Sequence, residues 1–329
     1  MTELKKTPGR DFVVLNLSDI QTELGHWTGQ SKEPVADILK YTVRELVDRV
    51  HPDLITVSGD ITTGGELAAY EKFYDFLETF ETPWALVWGN HDHDAGRGDL
   101  TLHAEKMKER PHSLFEDGDP SLGSGNYVIR ITENSAPVAA LIMMDTNNME
   151  EYVNEKGEKV MVWARLRDDQ IEWYREEAKK LKADGFDDVT MIGHTPIYGY
   201  REAYAAAKNP ACDMNHEDPL SENPDRWNEG YKDSTGVLFE GISSYPENEG
   251  ALDAFLEAGN TRRIIAGHDH IDDFMINYRG INFIYTLHTG IGCYYDRRLN
   301  GGTVITFGDK VSVRHEFVDI TRFFTSEDK

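Results

Sequence analysis

The residues able to do chemistry stand in five short blocks, each directly after an apolar run. Asp19 and Gln21, in Ser18-Asp19-Ile20-Gln21, follow Phe12–Leu17, and Gly59-Asp60 follows Leu54–Val57. Gly89-Asn90-His91-Asp92 comes just beyond Trp84–Val87, Gly193-His194 follows Val189–Ile192, and Gly267-His268-Asp269-His270 follows Arg263–Ala266. One such block alone is a turn or a satisfied strand-end polar group, but five in one chain form a set. Oxygen and imidazole donors without thiolates suit Mn, Fe, Zn or Mg. Cys212 and Cys293 are the only cysteines, too few for a thiolate cage or a disulfide framework. The donors exceed the needs of one ion, which points to two ions sharing a carboxylate. Such a pair, about 3.5 to 4 Å apart, clamps the attacking and leaving oxygens of a displacement at phosphorus.

The apolar runs that carry these blocks read as buried strands, as does Val138–Met144. Amphipathic stretches separate them. Val35–Val50, with Pro34 where a helix likes to begin, reads as a helix, and so do Glu66–Phe80 and Asp168–Ala183. Alternation of this kind is an α/β layer fold, in which ligands bind beyond the carboxyl ends of the strands. Toward the C-terminus the pattern changes to short strands at Phe274–Asn277, Ile281–Tyr285, Thr303–Phe307 and Val311–Phe317. Arg279-Gly280 and Gly308-Asp309 separate them as turns, which implies antiparallel pairing. With no internal repeat or linker, the chain reads as a single domain over 1–329. Its core is 10–318, with a short tail at 319–329 and an irregular insertion or lid at 196–250.

Charge bounds the partners. Lys plus Arg number 34 and Asp plus Glu 59, a net of −25, so long nucleic acids and anionic membranes are poor partners. No stretch reaches the ~18 apolar residues that span a bilayer. The N-terminal segment lacks the long apolar run of a signal peptide, and the expectation is a cytoplasmic chain. Two divalent ions would bring +4 to their site, so a pocket can attract a small phosphate ester while the surface stays acidic.

The five blocks together resemble the calcineurin-like metallophosphoesterase superfamily, whose motifs run here from Asp19 to His270. The resemblance implies a four-layer αββα sandwich, an α/β (α+β) fold with two mixed β-sheets flanked by helices and the metals at the strand ends. It implies a first metal on Asp19, Gln21, Asp60 and His270, and a second on Asp60, Asn90, His194 and His268. A hydroxide between the ions would attack a small phosphomonoester or phosphodiester, nucleotides among them, and His91 would protonate the leaving group. Asp92 either orients His91 or caps the loop. Gln21 departs from the family, where His is usual. An amide oxygen there moves preference toward Mn or Fe, with Zn and Mg as the remaining candidates; alternatively Gln21 only hydrogen-bonds. Thr63 stands where purple acid phosphatases carry Tyr, so their colour is not expected. Candidate substrate-binding residues are His93, Arg97 and Tyr198, and His26, Trp27, Tyr200 and His288 are candidates for pocket lining. The alternative function is a non-catalytic metal-binding scaffold on the same fold.

Overall fold

The computed structural model describes residues 2–94, 100–214 and 223–324. Fourteen strands are present among them. The first eight are β1 (Thr2–Lys5), β2 (Phe12–Leu17), β3 (Leu54–Ser58), β4 (Trp84–Val87), β5 (Tyr127–Glu133), β6 (Ala136–Met143), β7 (Met149–Val153) and β8 (Lys159–Trp163). The others are β9 (Val189–Ile192), β10 (Thr261–Ala266), β11 (Met275–Tyr278), β12 (Ile281–Tyr285), β13 (Gly301–Phe307) and β14 (Ser312–Phe317). Helices are α1 (Leu24–Thr28), α2 (Val35–Val50), α3 (Leu67–Glu78), α4 (Leu100–Lys108), α5 (Asp168–Ala183), α6 (Gly199–Ala207) and α7 (Ala251–Ala258).

Two mixed sheets stack. One has seven strands in the order β1-β5-β6-β9-β10-β12-β11, and the other five in the order β14-β13-β2-β3-β4. Strand alternation shows the layering. In β5 and β6, Ile129, Ile131, Leu141 and Met143 face the core shared with the five-stranded sheet. Their neighbours Val128, Ala140 and Ile142 instead join the cluster built by α5, α6 and α7. Strands packed on both faces must be apolar throughout, and β3, β4 and β9 are buried at every position. On the outer side of the five-stranded sheet, α2 buries Ile38, Leu39, Val43 and Leu46, and α3 buries Tyr70, Phe73, Tyr74 and Leu77. The result is the αββα sandwich that the sequence resemblance implied.

Expected strands and helices are present with ends shifted by at most three residues, and the pairs β11–β12 and β13–β14 are antiparallel as the turns implied. Two features differ. The 196–250 segment is not irregular throughout, because its start is α6, which buries Tyr200, Ala203, Tyr204 and Ala207. The other is the β7–β8 hairpin, which joins neither large sheet.

Topology places the chemistry. The neighbours β2, β3 and β4 are parallel, as are β9 and β10, so five strand ends point their following loops to one rim.

Candidate metal centre and active site

Three of the five blocks sit on the rim in strained backbone. Asp19, Gln21, Asp60 and His268 have φ of 56°, 45°, 55° and 76°, left-handed values that cost a non-glycine residue free energy and gather at functional sites. Glycines make room for the carboxylates. A Cβ on Gly89 would lie 2.2 Å from Asp60 Oδ1, and one on Gly267 would lie 2.7 Å from Asp19 Oδ2. Neither glycine needs a positive φ; what the site uses is the missing side chain.

The side chains converge. Asp19, Asp60 and His270 each bring a ligand atom within 4.8 Å of the other two, all buried. His270 Nε2 lies 3.3 Å from Asp19 Oδ1, and His194 Nε2 lies 3.3 Å from Asp60 Oδ1 and 3.0 Å from Asn90 Oδ1. Backbone carbonyls fix both rings: His194 Nδ1 donates to Ser58 O at 2.7 Å, and His270 Nδ1 to Tyr294 O at 2.7 Å. Each Nε2 is therefore aimed inward, the arrangement by which outer hydrogen bonds orient metal-binding imidazoles. The His268 ring lies 5.2 Å from that of His194, centroid to centroid.

Electrostatics follow from packing these groups together. Burial alone would raise the Asp19 and Asp60 carboxyls, but the facing histidines reverse it. His270 and His194 hold Asp19 well below the usual carboxylate range, and His194 holds Asp60 at about 2. Burial would likewise lower His194, yet Asp60 and Asp19 push it up to about 10. His268, with burial and the His194 charge acting together, falls to about 3 and is neutral, the form a metal takes.

The donor set fits divalent ions. Gln21 Nε2 donates to Asp60 Oδ2 at 2.9 Å and lies 3.3 Å from His270 Nε2, while its buried Oε1 has no partner. An ion among Asp19, Asp60 and His270 would satisfy that oxygen once the amide turns over. A cleft of about 140 Å³ opens on the cluster, lined by Gln21, Asp60, Asn90, His91, His268 and His270 together with Trp163, Ser243, Asp269, Cys293 and Tyr294. A larger cavity of about 590 Å³ lies between the sheet edges at β11, β12 and β14 and shares no residue with it.

The remaining candidates separate. His91 is anchored by its backbone N–H to Asp60 Oδ1 at 2.9 Å, and its ring is partly exposed, with Nε2 4.0 Å from Asp60 Oδ2. Its Nδ1 faces Asp94 at 3.1 Å, not Asp92. Asp92 instead ties the loops together, accepting from the amides of Gly89, Asp60 and Ile61 at 2.8, 2.9 and 3.0 Å and from Tyr70 Oη at 2.6 Å. His93 turns to Asp145 at 2.8 Å. Arg97 lies outside the described residues. Tyr198 is not among the cleft-lining residues; it precedes α6, with its amide on Glu249 at 3.2 Å. Tyr200 is core, donating to the carbonyls of Ile264 and Ile284. His26 and Trp27, on α1, do not line the cleft either. His288 is buried with its ring 4.6 Å from that of His270. Asp94, two residues beyond the block of His91 and at the right level to meet substrate, is the partner of His91, a role the sequence left to Asp92; sequence reasoning missed Trp163 and Tyr294, whose segments carry no motif.

Carboxylates and imidazoles at the strand ends of an αββα sandwich make a candidate metal centre. A family model described as calcineurin-like phosphoesterase matches residues 12–272, and the chain belongs to that family, whose members bind two divalent metals. It is 25% identical to the probable inactive purple acid phosphatase 28 of Arabidopsis thaliana over 265 residues, covering 74% of this chain and 59% of that one. Phosphatase DCR2 of Saccharomyces cerevisiae is 26% identical over 332 aligned positions, 91% of this chain and 51% of the other. The chain thus spans little more than half the length of either relative. A dimetal phosphatase from Danio rerio shares the fold, with a TM-score of 0.56 at 14% identity over 94% of this chain and 97% of that one. Among the described residues no helix is long and apolar enough to cross a membrane.

Proposed function

We propose that the chain is a dinuclear phosphoesterase acting on small phosphomonoesters or phosphodiesters, nucleotides among them, with His91 as general acid. The observation that carries this is the placement of His91, fixed to Asp60 through its backbone while its imidazole stands at the mouth of the cleft. With Nδ1 held by Asp94, Nε2 is the ring nitrogen left to serve a leaving group in the cleft, the role of a general acid. Bound divalent ions supply an activated water and neutralise charge on the phosphoryl oxygens. Asp19, Gln21, Asp60 and His270 would hold the first, and Asp60, Asn90, His194 and His268 the second.

The first site has one nitrogen donor, His270, beside an amide and two carboxylates, which favours Mn or Fe over Zn or Mg. Two unpaired cysteines, Cys293 exposed in the cleft, support a reducing, cytoplasmic setting. The net charge of −25 supports a small ester over a long polyanion.

The test is hydrolysis of p-nitrophenyl phosphate and bis-p-nitrophenyl phosphate with Mn, Fe, Zn and Mg. Turnover is expected to be fastest with Mn or Fe. Absence of turnover with every metal, with His91→Ala indistinguishable from the unaltered chain, would leave the non-catalytic scaffold.

A further inference from the structure

One wall of the metal cleft comes from an element that supplies none of the metal ligands. In the β7–β8 hairpin, Met149 pairs with Trp163 at the base, and Glu151 pairs with Met161 two residues further out. Trp163 lines the cleft and meets the His268 ring edge-on, with centroids 4.3 Å apart and planes at 82°. Paired residues of an antiparallel ladder share a face, and alternate residues of a strand share it too, so Met149 and Met161 project from the Trp163 face. The opposite face is occupied: Tyr152 packs on Tyr245 and donates to Glu247. The Trp163 face is open, with Met149 43% and Met161 58% exposed. Trp163, Met149 and Met161 line its inner part, a strip that begins at the metal centre and runs outward for roughly 7 Å, two residues of strand, while Glu151 beside Met161 is held in an ion pair with Lys159 further out.

The other side of the cleft is aromatic as well. Tyr294 stacks on His270 with centroids 4.1 Å apart and planes at 11°, and it is 48% exposed. Among the described residues that line the cleft there is no Lys or Arg. Among the described residues, a second phosphate on the substrate would meet Asp269 in the cleft and the hairpin's methionines, and Lys159 further out is already paired with Glu151. A planar ring gains from the same surroundings, through stacking on indole and contact with thioether sulfur.

We propose that the β7–β8 hairpin recognises the organic group of the ester, and that this group is a planar aromatic ring carried on a single phosphate. This rests on the phosphoesterase reading and narrows its substrate class.

Binding measured by calorimetry tests it without needing turnover. Methyl-, hexyl- and phenylphosphonate are titrated into the Mn-loaded full chain, and hydrolysis of bis-p-nitrophenyl phosphate is followed separately. Phenylphosphonate is expected to bind about tenfold more tightly than methylphosphonate, the size of one aromatic stack, and more tightly than hexylphosphonate. Trp163→Ala, and Met161→Glu at an exposed position that the fold tolerates, should bring the phenyl-to-methyl ratio toward one. Equal affinities for phenyl and methyl would overturn the proposal, and so would a ratio that both substitutions leave unchanged. Hexyl matching or exceeding phenyl would make the strip aliphatic-binding and overturn the aromatic class. Hydrolysis without this selectivity removes the inference alone, whereas selectivity without hydrolysis supports the strip and removes the phosphoesterase reading.

Discussion

His91 and Gln21 are the two residues on which the chemistry turns. His91 hydrogen-bonds to the cluster only through its backbone, and its ring comes no nearer to Asp60 than 4.0 Å, so replacing it should spare metal binding and remove the acid. His91→Ala is expected to lower kcat by about 10²- to 10⁴-fold. The loss should be greatest for alkyl esters and smallest for p-nitrophenyl esters, whose leaving group needs no proton; rates across a leaving-group series check this, and an equal loss for all esters contradicts it. Gln21→His restores the imidazole usual in the family and should shift metal preference toward Zn, read as the ratio of Zn- to Mn-supported activity and as retained Zn after dialysis. Both residues were legible as chemistry from their place after an apolar run. Their partners were not: the amide oxygen of Gln21 has no neighbour to satisfy it, and Asp94 faces His91 only because the loop folds back on itself.

At the scale of elements, the loops after β3 and β4 are held together by one carboxylate. Asp92 receives three buried backbone amides and the Tyr70 hydroxyl, and each donor left without an acceptor costs about 1 to 3 kcal/mol. Asp92→Ala should therefore destabilise the chain by about 3 to 5 kcal/mol, seen as a lower urea midpoint at an unchanged denaturant slope. A change below about 1 kcal/mol would mean that the loops hold without it. Strands whose two faces are both buried announce themselves as apolar runs, which is why β2, β3, β4, β9 and β10 were readable. β1, the polar edge strand Thr-Glu-Leu-Lys, was not, because its partner β5 lies more than a hundred residues away. The β7–β8 hairpin was hidden for another reason: its exposed face carries Met149, Val153 and Met161, so apolar residues do not alternate with polar ones along the sequence.

For the whole molecule, an acidic chain gathers His194, His268 and His270 at one rim, and protons and metals compete for them. Without metal, His194 is raised to about 10 by the aspartates and carries a proton at neutral pH, which must leave before an ion binds. Apparent Mn affinity should therefore climb with pH between about 7 and 9, by up to about tenfold per unit for that one proton, as calorimetry in buffers of different ionisation heat would show. Flat affinity over that range would mean that His194 is already neutral. Metal-free stability has the opposite sign: the raised His194 contributes below its unfolded value of 6.5, and the contribution fades as pH rises through about 10. The order of blocks along the chain revealed that five loops meet, because parallel strands must end on one side; the closeness of the two sheets at that rim is a tertiary fact. The central claim is a two-ion phosphoesterase, and the most direct measurement is the rate of bis-p-nitrophenyl phosphate hydrolysis as Mn is titrated into metal-free protein. The rate should rise to a plateau at two ions per chain and collapse in Asp60→Ala, whereas a plateau at one ion, or no hydrolysis at any loading, would contradict the account.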